Sequence, residues 1–346
     1  MAESKIQNFN HLKIHSQFSI CEGAIKIDDL KEVAKEKKIK SLGLCDTSNL
    51  CGALEFAEKI SKSGTQPIIG TQINFKFGDT IGLIPLFALS EVGYKRIIEL
   101  SSLSYLSNDG TTEPHLNFEE LIKRNDGVSV FSGTINGLIG QLFNKGKFSD
   151  IEELYSKIKL AYGDKFYLEI QRHGDQNEIS FEKFNLSLSS KLEIPIIATN
   201  EVFYSNKDMY EAHDALICIK NKTYINEKNR IKYSNQHYLK NNSEILELFS
   251  DLPEALENNY NFPYRCNFRP SFSKPILPDI SSDKGGNADE ILKSNSYEGL
   301  KEKFRNVFNL KDKDLSNNEK YLIYKDRLDH ELEIIIQMKY SSYFLI

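Results

Sequence analysis

The residues with the clearest chemical potential lie at 11–15, His-Leu-Lys-Ile-His, followed directly by Ser16. On a β-strand alternate residues share a face, so His11, Lys13 and His15 point the same way. Two imidazoles on one face suggest a metal site, yet the ammonium of Lys13 between them repels a divalent cation. His173, just after a strand-like run, can serve as a ligand or an acid–base group. His213 and Asp214 open an apolar helical stretch, AHDALICI, where packing and local hydrogen bonds account for them. There is no GxxxxGK[ST], GxGxxG or GxSxG, which removes the common phosphate cradles and the commonest hydrolase elbow.

Composition sets the frame for these groups. The 346 residues are 40% hydrophobic and 27% charged, with a formal charge of −5. That balance gives no general affinity for a nucleic-acid backbone, so such a contact needs a local basic patch. The run KEVAKEKKIK at 31–40 interleaves its charges with helix-face apolar residues and reads as a solvated face. The five cysteines form no CxxC pair, and most lie in apolar runs, as in a reduced, cytoplasmic protein. No apolar run approaches the length of a membrane span, and the first residues lack the apolar core of a signal peptide.

The elements that must position the histidines follow from periodicity. Strands are predicted at 11–15, 41–46, 67–75, 80–89, 127–132, 166–171 and 194–200, with helices at 27–38, 50–62, 91–106, 117–124, 150–162 and 178–192. Seven strands separated by helices predict mainly parallel pairing with crossover helices, as an open sheet or a (β/α) barrel with its functional groups at the strands' C-terminal ends. Residues 206–262 read as helices with short joints. Three prolines between 270 and 278 and a Gly pair at 285–286 read as a linker, followed by helices near 288–307 and 317–339. The sequence stops at YSSYFLI within an apolar run, and we expect it to be cut short.

Six blocks in order carry a resemblance: HLKIHSQFSICEGAIKIDDL, SLGLCDTSNLCGALEFAEK, PIIGTQINF, FYLEIQRHG, IPIIATNEVFY and AHDALICI. Together they resemble the PHP domain (polymerase and histidinol phosphatase) that begins the alpha subunit of bacterial DNA polymerase III, a C-family replicative polymerase. RLDHELEIIIQMKYSSYFLI is similar to the beginning of that family's palm. The resemblance implies an α/β fold, a PHP-type distorted (β/α)7 barrel followed by a mainly helical segment that begins the palm. It divides the chain into a PHP domain at 1–269, a linker at 270–286 and the start of the palm at 287–346.

The family's metal-ligand positions can be followed one at a time. Its opening H-x-H reads Lys13-Ile14-His15, the next acid is Glu22, and T-D-H reads Cys45-Asp46-Thr47. The acid of its G-C-E stretch is Gln72, and N-D-V-H reads Asn200-Glu201-Val202-Phe203. Lys13 brings a competing charge, Gln72 a weak neutral oxygen, Thr47 a hydroxyl and Phe203 nothing. His15, Glu22 and Asp46 remain able to touch an ion. We therefore expect no functional metal and no catalytic or cofactor-binding residue here, with Lys13 paired to Glu22, Asp46 or Glu201.

The resemblance implies a scaffold role in DNA-templated DNA synthesis. The palm carboxylates and their Mg2+ lie beyond Ile346, so the fragment is expected to be inactive alone. Implied partners are a proofreading exonuclease subunit, other holoenzyme subunits, and DNA with deoxynucleoside triphosphates through the full-length chain. The alternative is a metal-dependent phosphoesterase or 3′–5′ exonuclease with a remodelled site of His15, Glu22, Asp46, Glu169 and His173.

Overall fold

Gly43 explains how the first two strands come together. A Cβ there would stand 2.3 Å from the carbonyl oxygen of Leu12, so only glycine lets the backbones approach. The computed structural model describes residues 8–108, 110–274 and 287–346. Internal contacts divide the chain into Met1–Phe272 and Ser273–Ile346. Most of the Pro/Gly-rich stretch, 275–286, lies outside the described residues.

In the first unit, one sheet contains β1 (Lys13–Ile14), β2 (Ser41–Thr47), β3 (Gln66–Phe77), β4 (Thr80–Ala88), β5 (Leu116–Asn117), β6 (Val128–Phe131), β7 (Phe166–Ile170), β8 (Ile196–Ala198) and β9 (Glu201–Val202). The order is β8-β7-β6-β4-β3-β2-β1-β9, with β5 against β3. The two ends of that path, β8 and β9, are separated in the chain only by Thr199 and Asn200. The sheet therefore curls back on itself.

A ring of buried side chains fills the interior. Leu12, Cys45, Ile68, Phe87, Phe131, Tyr167 and Ile197 come from successive strands or their immediate approach, and Phe262 packs among them. The Phe262 ring lies 5.1 Å from Phe131 and 5.6 Å from Phe87, both edge-on, a favourable aromatic geometry.

Helices cover the outside: α1 (Ile27–Glu36), α2 (Ala53–Lys62), α3 (Glu91–Leu106), α4 (Phe118–Lys123), α5 (Leu138–Asn144), α6 (Phe148–Tyr162) and α7 (Glu178–Leu192). On α1, Ile27, Leu30 and Ala34 are buried, while Asp28 and Asp29 stand in the first turn where the helix dipole favours anions. Its basic run is largely exposed.

Pairing is parallel at β1–β2, β1–β9, β2–β3, β6–β7 and β7–β8. β4 is the exception, antiparallel to both β3 and β6. The reason is local, since Gly78 and Asp79 alone join β3 to β4. A two-residue connection makes a hairpin, whereas a parallel neighbour needs a crossover of a dozen residues or more. α8 (Tyr210–Lys220), α9 (Asn242–Leu248) and α10 (Pro253–Asn261) complete this unit.

The second unit is helical, with Ala288–Phe308, Asp312–Leu315, Glu319–Gln337 and Ser341–Leu345. Its buried cluster is small: Phe304, Leu315 and Tyr321, with Leu300, Phe308 and Leu310 against them.

Candidate functional site: the barrel mouth

β1 and β9 run parallel with Lys13 opposite Glu201, which places an ammonium beside a carboxylate inside the barrel. Lys13 Nζ lies 3.3 Å from Glu169 Oε1 on β7 and 3.3 Å from Glu201 Oε1. All three side chains are shielded from solvent, with Lys13 fully buried. Burial works to lower the pKa of Lys13, but the two carboxylates overcome it and hold the amine above its ordinary value. Burial likewise pushes Glu201 upward, and Lys13 and His15 outweigh it, so this carboxylate stays well below the usual range.

Glu201 Oε1 is a point of convergence. His15 Nε2 is 3.2 Å from it, and the Gln72 amide donates to it at 2.8 Å. One carboxylate oxygen thus faces three nitrogens, from β1, β3 and the end of β1. Glu169 Oε1 accepts from Gln171 Nε2 at 2.7 Å and from the Thr199 hydroxyl.

The remaining positions are engaged elsewhere. Asp46, at the end of β2, accepts from the Ser16 N–H at 2.7 Å, the Ser16 hydroxyl at 2.8 Å and the Ser19 hydroxyl at 2.7 Å. Glu22 pairs with Lys220 of α8. Thr47 Oγ1 is 3.4 Å from His15 Nδ1. The Phe203 ring lies 4.6 Å from His15 and 4.9 Å from Tyr233, within an aromatic cluster. The sequence reading paired Lys13 with Glu22, Asp46 or Glu201. Of these only Glu201 is its partner, and the second is Glu169 on β7, brought near because β7 and β1 stand next to the two ends of the curled sheet path.

His11 does not join this group, despite sharing the alternation. Its Nε2 is 3.0 Å from the Lys240 carbonyl, and burial lowers its pKa to about 4. His213 Nε2 meets the Glu22 carbonyl at 2.9 Å, and Asp214 holds Arg230 through two contacts at 2.6 and 2.7 Å, the structural roles expected for them.

Sequence reasoning missed His237 and Asp175. With His173 they bring possible ligand atoms within 4.8 Å of one another. Tautomers and ring geometry argue against a shared ion. The Glu201 N–H donates to His173 Nε2 at 3.2 Å, so the proton of neutral His173 sits on Nδ1, facing Glu178 at 3.5 Å. The His173 and His237 rings stack in parallel at 4.0 Å, so their in-plane lone pairs do not meet at one point. His237 lies 64 residues beyond His173, with no spacing signal between them.

Above these groups lies a cavity of about 470 Å³, lined among others by Glu22, Gln72, Asn74, Thr134, Gln141, Phe203, Lys220, Lys232 and Tyr233. A curled, mainly parallel sheet wrapped by helices, with its charged groups gathered at one mouth, makes this unit an α/β barrel-like domain. The PHP domain family matches residues 11–173, and the family described as "Bacterial DNA polymerase III alpha NTPase domain" matches residues 290–346. The DNA polymerase III subunit alpha of Caulobacter vibrioides is 34% identical over 354 residues, covering 100% of this chain and 30% of the relative. That of Rickettsia conorii is 35% identical over 343 residues, covering 98% and 29%. The chain belongs to the family of bacterial DNA polymerase III alpha subunits. It spans about 30% of the length of the curated relatives it matches.

Among solved structures, a putative metal-dependent phosphoesterase from Bifidobacterium adolescentis is 12% identical, with a TM-score of 0.38, covering 56% of this chain and 86% of that one. An amidohydrolase from Chromobacterium violaceum is 11% identical, with a TM-score of 0.39, covering 60% and 96%. The alternative of a remodelled phosphoesterase site is not favoured. Of its five residues, Glu22 pairs with Lys220 and Glu169 with Lys13, while His15 and Asp46 share the Ser19 hydroxyl and His173 accepts from the Glu201 N–H.

Proposed function

We propose that this chain is the portion of a replicative DNA polymerase that supplies a metal-free scaffold, not a second active site. The carrying observation is Lys13 Nζ between Glu169 and Glu201 at 3.3 Å from each. A fixed monovalent cation occupies the place that a divalent ion takes among carboxylates and imidazoles, so the acids gain a shared counter-charge without metal. Bringing in a second positive centre at that range would cost repulsion in a poorly screened interior. The donor set agrees, because Gln72, Thr47 and Phe203 offer an ion little or nothing.

DNA synthesis belongs in this reading to the whole polymerase, with Mg2+ held by carboxylates outside residues 1–346. The segment 287–346 is the start of the palm, 270–286 the linker and 1–269 the PHP domain, in a cytoplasmic enzyme. Among the described residues no helix is long and apolar enough to cross a membrane. A polymerase whose barrel holds no nuclease metal needs proofreading in trans, so the barrel docks a separate exonuclease subunit.

The test is elemental analysis of the chain purified with manganese and zinc present, beside primer extension by the same sample. Substoichiometric metal and no extended primer are expected. A stoichiometric ion at Lys13, or nucleotide incorporation, overturns the reading.

A further inference from the structure

Asp175 and His237 face each other at the barrel mouth with no donor between them. Asp175 lies in the connection from β7 to α7, and His237 between α8 and α9. His237 Nδ1 is 3.2 Å from the Glu201 carbonyl, which can only accept, so in the neutral ring the proton sits on Nδ1. Nε2 then presents a bare lone pair to Asp175 Oδ2 at 3.6 Å, too far for a hydrogen bond. His237 is 2% exposed, and its Nε2 has no hydrogen-bond partner. A buried acceptor facing a carboxylate calls for a donor that both can share. A nitrogen about 2.9 Å from each atom reaches both, because the two are only 3.6 Å apart.

Asp175 also lines the barrel-mouth cavity of about 470 Å³, so a donor at this position is reached from the cavity. That space is far more than one water occupies and suits a small organic molecule. The charge of the lining favours a cation. Glu22, Glu113, Asp175 and Glu201 stand there against Lys220 and Lys232. Lys220 is engaged by Glu22, and Glu201 by Lys13. Asp175 and Glu113 have no lysine or arginine partner among the described residues. Lys232 Nζ sits 5.9 Å over the ring of Tyr210, which is not part of the lining. Phe203 and Tyr233 add aromatic faces with centroids 4.9 Å apart, and the Tyr233 ring meets His237 edge-on at 5.3 Å. Aromatic faces attract organic cations, whereas an anion here meets two uncompensated acids.

We propose that the barrel mouth binds a small aliphatic amine, its ammonium held between Asp175 and the His237 lone pair and its methylenes against Phe203 and Tyr233. Such a ligand brings the N–H donors that the two acceptors lack, and Glu113 offers a second carboxylate to a diamine. A metal ion is the poorer occupant. The third nearby ligand group, His173, has its Nε2 lone pair taken by the Glu201 N–H, and a bare ion leaves the aromatic wall unused. Bound there, the amine joins the β7–α7 connection to the 231–233 stretch, which lines the same cavity.

The experiment is a calorimetric titration of 1,4-diaminobutane into the 346-residue chain with EDTA present, at about pH 8, where an unperturbed imidazole is neutral. Saturable binding and a rise in melting temperature are expected for the wild type. Asp175→Asn should keep the fold, because its amide can itself donate to His237, and should weaken diamine binding more than tenfold. Lys232→Gln should bind at least as tightly as the wild type. Wild-type affinity in Asp175→Asn, or loss of binding in Lys232→Gln, overturns the assignment. So does the absence of diamine binding at millimolar concentration, the result expected if His237 carries a second proton and pairs with Asp175 directly. An inorganic phosphate arm tests the sign of the site: phosphate binding that Lys232→Gln abolishes gives the cavity to anions and removes the amine. EDTA keeps metal out of the titration, so failure of the amine site leaves the scaffold reading standing.

Discussion

At the scale of single residues, Lys13 decides the character of the barrel mouth. A buried ion pair adds little net stability over an apolar replacement, but removing one partner strands a charge. Lys13→Met should therefore destabilise the barrel by about 3–5 kcal/mol, read from urea unfolding, because Glu169 and Glu201 keep their burial and lose their cation. The triple variant Lys13→Met/Glu169→Gln/Glu201→Gln should recover most of that loss. A cost below about 1 kcal/mol for the single change would show that water or rearrangement compensates the acids.

His11 makes a separate, pH-dependent contribution. Its folded pKa is lowered from 6.5 to about 4 by burial. The unfolded chain therefore binds a proton that the folded chain refuses across that window, and stability falls as pH drops from 6.5 toward 4. The shift is worth about 3 kcal/mol at neutral pH. His173 acts in the same direction, its pKa lowered by burial and by His237 and Lys240. Glu201, held below its ordinary range, adds a further loss at more acid pH. Urea midpoints measured across pH 4–7 should fall with acid, and His11→Gln should make that fall shallower. An unchanged slope in the variant would remove His11 from the account.

Elements show how far the sequence could be read. Alternation placed Lys13 and His15 together at the site but included His11, whose backbone still runs beside β2 while its ring bonds the Lys240 carbonyl instead. Strands β3 and β4 were visible as apolar runs at 67–75 and 80–89, and the four residues between those runs were already too few for a parallel crossover. Periodicity gave the faces while connection length gave the direction, and only the first entered the reading. Helix α5 was missed for want of length, since seven residues hold fewer than two turns of pattern. The partnership of Lys13 with Glu169 lay beyond any local signal, because 156 residues separate them and only barrel closure brings them together.

The approach of β1 to β2 rests on Gly43, where β2 passes the Leu12 carbonyl. Gly43→Ala places a methyl group 2.3 Å from that oxygen, and neither strand can yield without breaking the β1–β2 pairing. Such overpacking typically costs about 1–3 kcal/mol or more. The predicted signature is a lowered melting temperature, together with faster amide exchange at Ile14 and Leu44 than in wild type. Wild-type exchange at those amides would mean that the strands part without penalty.

At the scale of the whole molecule, the two units differ in how much they bury. Met1–Phe272 holds three interior clusters, including the barrel ring and the layer between sheet and helices. Among the described residues of Ser273–Ile346 there is one small cluster, and Val307, Ile323, Met338, Tyr343, Phe344 and Ile346 are exposed. A helical unit of this size with so few buried apolar side chains has little to set against its conformational entropy. The barrel unit should therefore carry the cooperative stability of the chain. Residues 1–274 expressed alone should retain the main calorimetric transition at the same temperature, and amides of 288–337 should exchange faster than those of β2 and β3 in the 346-residue chain. A large drop in the transition temperature on removing 275–346 would reverse this order, making the helical unit part of the barrel's own cooperative fold.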